Sequence, residues 1–413
     1  MYETIKKNKF FFIFFFFFFS LILEFFLNLD LLGGTKNDFY KTFIIVQEIK
    51  NNFNLFNEDA FHFPTHYLFL ALINLILENE TYTRLLYVFF SLSIPIIFYK
   101  CLIIKYKTIN KLNLFLLSCS IFLLPAFRSC AIWANLHITA IFFYTCSLYF
   151  FLICEKNNFK KNKNFFFLIT FLFLAIYTRI DFLFIYCAVF LIIFFKIDNK
   201  RKFFLIFYSF MLTIPLVIII LNYKYLLLGK APNDQYAFFS TSYFNSIVIN
   251  SSYFFFYIFP IFLRNILKFI SIKFFLKKKI IAFIASILIS LVVFPNFNYV
   301  ASYGGGIFFK ISNLILENNK IIFFFSFIGL YITLYLSLFS LRNFIFLFLF
   351  FLTYNSFYLM QKYVEPSLLI LFFILLKYKN GFKLFDKKAL YFTYIFFFFY
   401  WLGTLIYRYY LSF

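Results

Sequence analysis

The chain alternates long apolar runs with short polar segments, and this pattern predicts membrane-spanning helices along its whole length. A helix needs about 20 apolar residues to cross the hydrocarbon core of a bilayer. Residues 9–29 form the first run, and no small-residue cleavage site follows it, so we expect a retained span rather than a signal peptide. The pattern predicts about thirteen spans, with a range of about 11 to 13, when basic loops are kept cytoplasmic. The predicted spans are 9–29, 85–104, 113–127, 131–154, 164–178, 182–196, 203–222, 246–263, 280–294, 321–341, 343–360, 367–377 and 389–407.

One apolar stretch, Pro64 to Leu77, is too short to cross the bilayer and is flanked by acidic rather than basic residues. If it crossed, the basic loop from Lys100 to Lys111 would lie on the outer side of the membrane, against the positive-inside rule. We therefore expect Pro64 to Leu77 to form an interfacial helix at the outer surface.

Composition supports a membrane protein and excludes an ordinary soluble domain. Of 413 residues, 64% are hydrophobic and only 13% are charged, with a mean hydropathy of +0.89. A soluble fold of this size cannot bury so much apolar surface, whereas lipid removes the need to bury it. The phenylalanine run from Phe14 to Phe19 follows the same compositional bias and carries no separate functional signal.

The net charge of +23 would suggest a nucleic-acid partner in a soluble protein. Here the basic residues cluster between apolar runs, and the predicted topology places the entire excess on the cytoplasmic side. We therefore expect membrane lipid, and no nucleic acid, as a partner. The six cysteines form no CxxC pair and are interpreted as small apolar residues.

The predicted outer face carries the long segments, namely residues 30–80, 223–245 and 295–320, while the cytoplasmic loops are short and basic. Functional residues concentrate in loops that a rigid scaffold holds in place. The chain is therefore expected to form a single membrane domain, residues 1–413, whose working face is the outer one.

Three arginines, Arg84, Arg128 and Arg179, are each predicted at a turn or helix end on this outer face. The planar guanidinium suits bidentate binding of phosphate, and three at one depth favour a phosphate site. The alternative for each arginine is contact with lipid headgroups at the membrane surface. Both interpretations stay open from the residues alone.

The first outer loop carries carboxylates in two places, at Asp38 and at Glu58-Asp59. A carboxylate held at the lipid surface just after the first span could remove a proton from an acceptor hydroxyl. The alternative is that these are solvated loop residues.

The order of these features resembles the GT-C membrane glycosyltransferases, and in particular the branch of protein O-mannosyltransferases and the lipid A aminoarabinose transferase. Four segments carry the resemblance: Asp38-Phe39-Tyr40, His62-Phe63-Pro64-Thr65-His66-Tyr67, Arg84-Leu85 and Thr178-Arg179. Phe39 departs from the branch, which has a second acid at that place. The resemblance covers residues 1–200, a GT-C-like catalytic half. The C-terminal transmembrane half, 203–413, is similar only in its spans and its outer loops 223–245 and 295–320.

The resemblance implies transfer of a hexose or pentose from a polyprenyl-phosphate donor to a lipid, glycan or protein acceptor at the outer face. It implies an all-α GT-C-like fold in the bacterial plasma membrane, with the endoplasmic reticulum membrane as the alternative. No cofactor is implied with certainty, and a divalent metal is left open. Its implied catalytic carboxylates are Asp38, Glu58 and Asp59. The implied phosphate contacts are Arg84, Arg128, Arg179, Lys230 and Lys362. The implied acceptor contacts are Tyr40, His62, His66, Tyr67, His137 and Asp181.

Other classes remain as alternatives. A lipid or glycan transporter such as a flippase would explain the spans and outer loops without chemistry. A glycan polymerase or ligase would have similar loops but no acid directly after the first span. Apart from Glu24, toward the outer end of its span, we predict no ionisable residue deep in a span, which argues against a proton-coupled transporter.

Overall fold

The computed structural model describes residues 2–52, 64–160, 162–222, 243–270, 276–299, 304–353, 360–378 and 385–411. These residues form helices, turns and connecting segments, and none of them forms a β-strand. The predicted all-α class is therefore confirmed. Contacts divide the chain into two compact units, the first made of residues 1–180, 197–222 and 385–413 and the second of residues 181–196 and 223–384.

The first unit contains eleven named helices drawn from both ends of the chain. They are α1 (Tyr2–Phe26), α2 (Thr35–Asn52), α3 (Thr65–Leu77), α4 (Glu80–Ser91), α5 (Ser93–Lys105), α6 (Lys111–Cys119), α7 (Pro125–Ile132), α8 (Leu136–Lys156), α9 (Asn162–Thr178), α11 (Asn199–Asn222) and α18 (Lys387–Ile406). A 3₁₀ turn, Ser120–Leu123, joins α6 to α7, and a π-helical turn, Tyr407–Leu411, follows α18.

The second unit contains α10 (Phe182–Phe194) and the helices that follow α11 in the chain up to residue 384. Its further helices are α12 (Tyr243–Ile270), α13 (Leu276–Val293), α14 (Gly306–Leu316), α15 (Lys320–Ser337), α16 (Leu341–Thr353) and α17 (Ser367–Ile374). A short 3₁₀ turn, Gln361–Tyr363, precedes α17.

Within the described residues, six helical segments are long and apolar enough to cross a membrane. They are Glu80–Lys105, Leu136–Lys156, Asn199–Ile218, Tyr243–Ile261, Lys320–Ser337 and Lys387–Tyr410. The architecture is that of a multi-pass integral membrane protein. Several of the other predicted spans correspond to apolar helices of only 10–17 residues, such as Phe182–Phe194. The total of thirteen stays a prediction.

The predicted span 113–127 is not one straight helix, because the chain bends by 67° between Lys111–Leu123 and Pro125–Ile132. Pro125 causes the break, since the residue before a proline is pushed out of the helical region. Leu124 accordingly has φ −83° and ψ 118°, and Pro125 opens α7. Counted as one broken span, this pair raises the number of spanning segments to seven.

Two local predictions are confirmed. Residues 65–77 form a separate short helix, α3, which ends where Glu78 adopts a left-handed conformation with φ 50°. The apolar stretch 165–195 is interrupted at residues 179–181, between the end of α9 and the start of α10. The placement of α3 at the membrane surface stays a prediction.

The first unit is held by helix pairs whose aromatic side chains interlock. Helix α8 packs along α9, where the Phe150 and Phe171 rings stack with centroids 5.7 Å apart. The last helix, α18, returns to the start of the chain, because the Tyr394 ring lies 5.8 Å from Phe17 and its hydroxyl donates to the carbonyl of Leu116 at 2.6 Å. The N- and C-terminal helices therefore share one core.

The second unit is organised around the close crossing of α12 and α15. Gly329 of α15 faces the carbonyl oxygen of Ser251 of α12, and a β-carbon at Gly329 would lie only 2.0 Å from that oxygen. Phe255 and Phe325 stack beside the crossing with centroids 5.2 Å apart. Small residues at such crossings let helices in a membrane approach closely.

Replacing Gly329 with alanine is expected to destabilise the protein by about 1–3 kcal/mol, because the added methyl group overpacks a backbone contact. Thermal unfolding of the detergent-solubilised protein measures the effect. Gly403→Ala in α18 is the matched control, because no atom lies within 4 Å of its added β-carbon. Equal stability of the two variants would contradict the close crossing.

Candidate functional site

The segment between α1 and α2 is fixed to α7 by the buried carboxylate of Asp30. Its Oδ1 accepts hydrogen bonds from the Gly33 amide at 3.1 Å, from the Ser129 hydroxyl at 3.0 Å and from the Thr35 hydroxyl. Its Oδ2 accepts from the Lys36 amide at 3.2 Å. Asp30 therefore satisfies amides at the start of α2, which have no partner within the helix, and ties that helix to α7.

Asp38, the predicted base, lies in the first turn of α2 and is half-buried. The buried face of this helix includes Thr35, Thr42 and Ile49. Asp38 follows Thr35 by three residues and precedes Thr42 by four, so helical geometry places it on the same face. Its carboxylate therefore belongs to the side of α2 that faces the first unit. Tyr40, by contrast, is exposed, as an acceptor contact would be.

The Trp133 side chain contacts both Arg84 and the first turns of α2. The guanidinium carbon of Arg84 lies 3.6 Å from the centroid of the indole, within the range of a cation–π contact. The rings of Phe39 and Tyr40 lie 6.2 Å and 6.1 Å from the same indole. The indole N–H donates to the carbonyl of Leu29 at 2.9 Å. Residues from the segment after α1, from α2 and from α4 thus meet around one side chain of the α7–α8 turn.

Arg84 is buried but keeps part of its guanidinium available. Nε donates to the Ile132 carbonyl and Nη2 donates to Asn28 Oδ1, both at 3.2 Å. Among the described residues, Nη1 has no hydrogen-bond partner. Glu80 lies one helical turn earlier on α4, a spacing at which opposite charges interact. Arg84 is therefore a fixed cation, and its predicted contact with phosphate stays a prediction.

Arg128 has a different environment, because Glu24 forms a salt bridge with it inside the first unit at 2.6 Å. Its remaining hydrogen bonds go to the Ser20 hydroxyl and carbonyl and to the Phe122 carbonyl, at 3.2, 2.9 and 2.8 Å. Glu24 also accepts from the Trp401 indole N–H at 2.7 Å. A phosphate bound by Arg128 would have to replace one of these acceptors, and that predicted role stays a prediction.

Arg179, just after α9, contacts the first turn of α8. Its Nη1 donates to Nδ1 of His137, which is buried, while Arg179 itself is half-buried. The structure therefore joins a predicted phosphate contact and a predicted acceptor contact directly.

His66 and Tyr67, also predicted acceptor contacts, are buried at the start of α3. His66 Nδ1 lies 2.9 Å from the Thr139 hydroxyl. The Tyr87 hydroxyl bonds the same threonine and donates to the Asn135 carbonyl at 2.7 Å. In this conformation the pair belongs to the packed interior rather than to an open cleft, and its contact with an acceptor stays a prediction.

Six predicted residues do not belong to the described part of the first unit. Glu58, Asp59, His62 and Lys230 lie outside the described residues. Asp181 and Lys362 belong to the second unit. There the Lys362 ammonium lies 5.9 Å from the Tyr363 ring, and the nearby buried Glu365 accepts a hydrogen bond from the Tyr257 hydroxyl.

No group of three or more His, Cys, Asp or Glu side chains that could hold a metal occurs among the described residues. The residues of the first unit that do cluster are arginines, aromatic rings and single carboxylates.

Sequence reasoning did not select Asp30 or Trp133, although both organise the candidate site. A signal for Asp30 was available, because it shortly precedes Gly33, Gly34 and Thr35, and Asp side chains commonly accept hydrogen bonds from the backbone of a following turn. Trp133 is one of only two tryptophans in the chain, which distinguishes it from the many phenylalanines. Its contact with Arg84 carries no local sequence signal.

No protein-family model, curated protein or solved structure matches the chain.

Replacing Glu24 with glutamine is expected to destabilise the first unit strongly, by about 3–5 kcal/mol, because Arg128 would keep a buried charge without its counter-ion. Thermal or denaturant unfolding of the purified protein measures the loss. The control is Asp198→Asn, which alters an exposed pair with Arg201 at 3.3 Å and should cost about 0–1 kcal/mol. Similar losses in the two variants would contradict a structural role for the buried pair.

Proposed function

We propose that the protein is a membrane glycosyltransferase. It moves a sugar from a polyprenyl-phosphate donor to an acceptor at the outer face of the membrane. The observation that supports this proposal is the juxtaposition, in the first unit, of the helix carrying Asp38 with the fixed cation of Arg84. Phe39, the neighbour of Asp38, has its ring 5.7 Å from the guanidinium carbon of Arg84.

A carboxylate and a phosphate-binding cation are the two groups that inverting transfer from a lipid phosphate requires. The acceptor oxygen forms a bond to the anomeric carbon while the bond from that carbon to the phosphate oxygen breaks. The acceptor proton passes to the Asp38 carboxylate, and the bonding electrons leave with the phosphate. Negative charge thus grows on the phosphate, where a preorganised guanidinium stabilises the transition state.

Arg84 is the best placed of the predicted phosphate contacts. Its ring contacts with Phe25 and Trp133, at 5.1 Å and 3.6 Å, hold the guanidinium in one orientation. In this proposal Nη1 binds a phosphate oxygen, and binding to a preorganised group avoids an entropic cost. Arg179 is a second contact, oriented by His137.

In this proposal Arg128 has a structural role and stabilises the helices around the site. Its salt bridge with Glu24 fixes α7. The next residue, Ser129, donates a hydrogen bond to the Asp30 carboxylate, which lies just before α2. The orientation of Asp38 therefore depends on a chain of buried polar contacts that begins at Arg128.

Asp38→Asn tests the base directly. The change keeps size and hydrogen bonding but removes the proton acceptor, so the rate of transfer should fall about 10²–10⁴-fold. The assay follows release of polyprenyl phosphate from a panel of radiolabelled polyprenyl-phosphate hexoses and pentoses in membranes. Glu48→Gln, on the same helix, is the matched control. Unchanged transfer in Asp38→Asn would exclude Asp38 as the base. Movement of intact donor across the bilayer without release would instead support a flippase.

Arg179→Ala is expected to weaken donor binding by about ten- to a hundredfold, because a charge-assisted hydrogen bond to phosphate is lost. Acceptor binding should change much less. Separate titrations of the donor and acceptor in the same transfer assay measure the two Michaelis constants. Arg201→Ala, in the exposed pair, serves as the control. Equal effects on both substrates would argue against the phosphate role.

A further inference from the structure

Three segments meet at one end of the second unit: the start of α13, the turn between α15 and α16, and the residues that follow α17. The Lys278 ammonium, on α13, donates a hydrogen bond to the Leu338 carbonyl at 2.5 Å. The Asn343 side chain, on α16, donates to the Leu336 carbonyl at 3.0 Å and to the Lys377 carbonyl at 2.9 Å. Its Oδ1 accepts from the Lys377 amide at 2.8 Å. Lys278 is therefore joined to the Lys377 backbone through one turn and one side chain.

Lysines are carried by two of these three segments. Lys277 and Lys278 lie in the first turn of α13, and Lys377 follows α17. Lys277 and Lys377 are exposed and Lys278 is half-buried. An ammonium has three N–H donors, and the carbonyl contact of Lys278 occupies one of them. Lys279 and Arg342 add positive charge to the same segments, but both are buried and we assign them no contact with a ligand.

The segments that build this end of the unit contain no acidic residue. Between Asp234 and Asp386 the chain has only two, Glu317 and Glu365. Glu317 precedes α15, whose 18 residues place it about 27 Å of helix away from the α15–α16 turn. Glu365 precedes α17 and is separated from the lysine end of that helix by about 12 Å. The local charge is therefore positive, and its chemical complement is an anion.

The exposed face of α13 continues from Lys277 as an apolar stripe. Ile281, Ile284, Leu288 and Leu291 follow Lys277 at intervals of four, three, four and three residues, which places all five on one side of the helix. The four apolar side chains are 50% to 66% exposed. From its first to its last residue the stripe is about 15 Å long, which is half the thickness of the hydrocarbon core. A ligand that matches this face has an anionic head and apolar chains.

We propose that Lys277, Lys278 and Lys377 bind the phosphate headgroup of an anionic membrane lipid, whose acyl chains lie along the stripe on α13. Lysines clustered beside a membrane-embedded helix attract anionic headgroups, and each ammonium can donate to a phosphate oxygen. The hydrogen bonds of Asn343 hold the lysine-bearing segments together before the lipid binds, which reduces the entropic cost of binding. In the predicted topology this end faces the cytoplasm, so the lipid belongs to the inner leaflet. The site does not depend on sugar transfer.

The test measures binding of phosphatidylglycerol to the full-length protein, held in phosphatidylcholine nanodiscs, by native mass spectrometry and thermal shift. The double variant Lys277→Gln/Lys377→Gln keeps the Lys278 contact and should bind phosphatidylglycerol at least about tenfold more weakly, because each lysine at the membrane surface contributes to the attraction. Each single variant should show part of this loss. Lys277→Arg/Lys377→Arg, which keeps both charges, should retain binding.

Lys36→Gln/Lys320→Gln is the matched control, because it also removes two exposed lysines, one in the first unit and one at the opposite end of α15. Its affinity should stay within about twofold of the unmodified protein. Unfolding in phosphatidylcholine alone checks that each variant is folded. Unchanged binding in Lys277→Gln/Lys377→Gln, or an equal loss in the control, would overturn the site. Equal protection by glycerol 3-phosphate, which has no chains, would overturn a lipid ligand in favour of free phosphate.

Discussion

The buried salt bridge between Glu24 and Arg128 is the interaction on which the first unit depends. It joins the first helix to α7, and the Trp401 indole brings the last helix to the same carboxylate. Because both charges are removed from water and lipid alike, neither can lose its partner without a large cost. α7 connects this salt bridge to the start of α2, because Ser129 of α7 donates a hydrogen bond to the Asp30 carboxylate. Trp133 directly follows the end of α7 at Ile132. The geometry around Asp38 is thus set by a contact deeper in the unit.

Much of the fold follows from the chain of apolar and polar runs. Run length predicted the long helices α8 and α15, and the predicted spans 164–178 and 182–196 left a break that the structure also has, between α9 and α10. The bend before Pro125 was missed because residues 113–127 read as one apolar run, although the proline was visible. Hydropathy measures burial in lipid and is insensitive to a backbone break, which needs only one residue with the wrong dihedral preference.

The sequence predicted several residues of the candidate site but not how their environments differ. Arg84, Arg128 and Arg179 look equivalent in sequence because each is placed at a helix end or turn. In the structure their partners differ. Arg128 forms a salt bridge with Glu24 and Arg179 contacts His137, whereas Nη1 of Arg84 has no hydrogen-bond partner among the described residues. Glu24 is 104 residues from Arg128 and His137 is 42 residues from Arg179, so no local pattern encodes these partners. Asp30 was overlooked for a related reason, since its importance comes from Ser129 as much as from its own turn.

The return of α18 to the first helix also has a consequence for how the protein is made. The first unit consists of residues 1–180, 197–222 and 385–413, so its last segment is synthesised only after the second unit. Until α18 inserts, Glu24 lacks the Trp401 indole and the Asp30 amide lacks the Tyr409 hydroxyl. Before that point the Glu24–Arg128 ion pair of the first unit lacks the cover that α18 provides. Maturation of the first unit therefore depends on the insertion of α18, which follows the second unit in the chain, and not only on its own N-terminal helices.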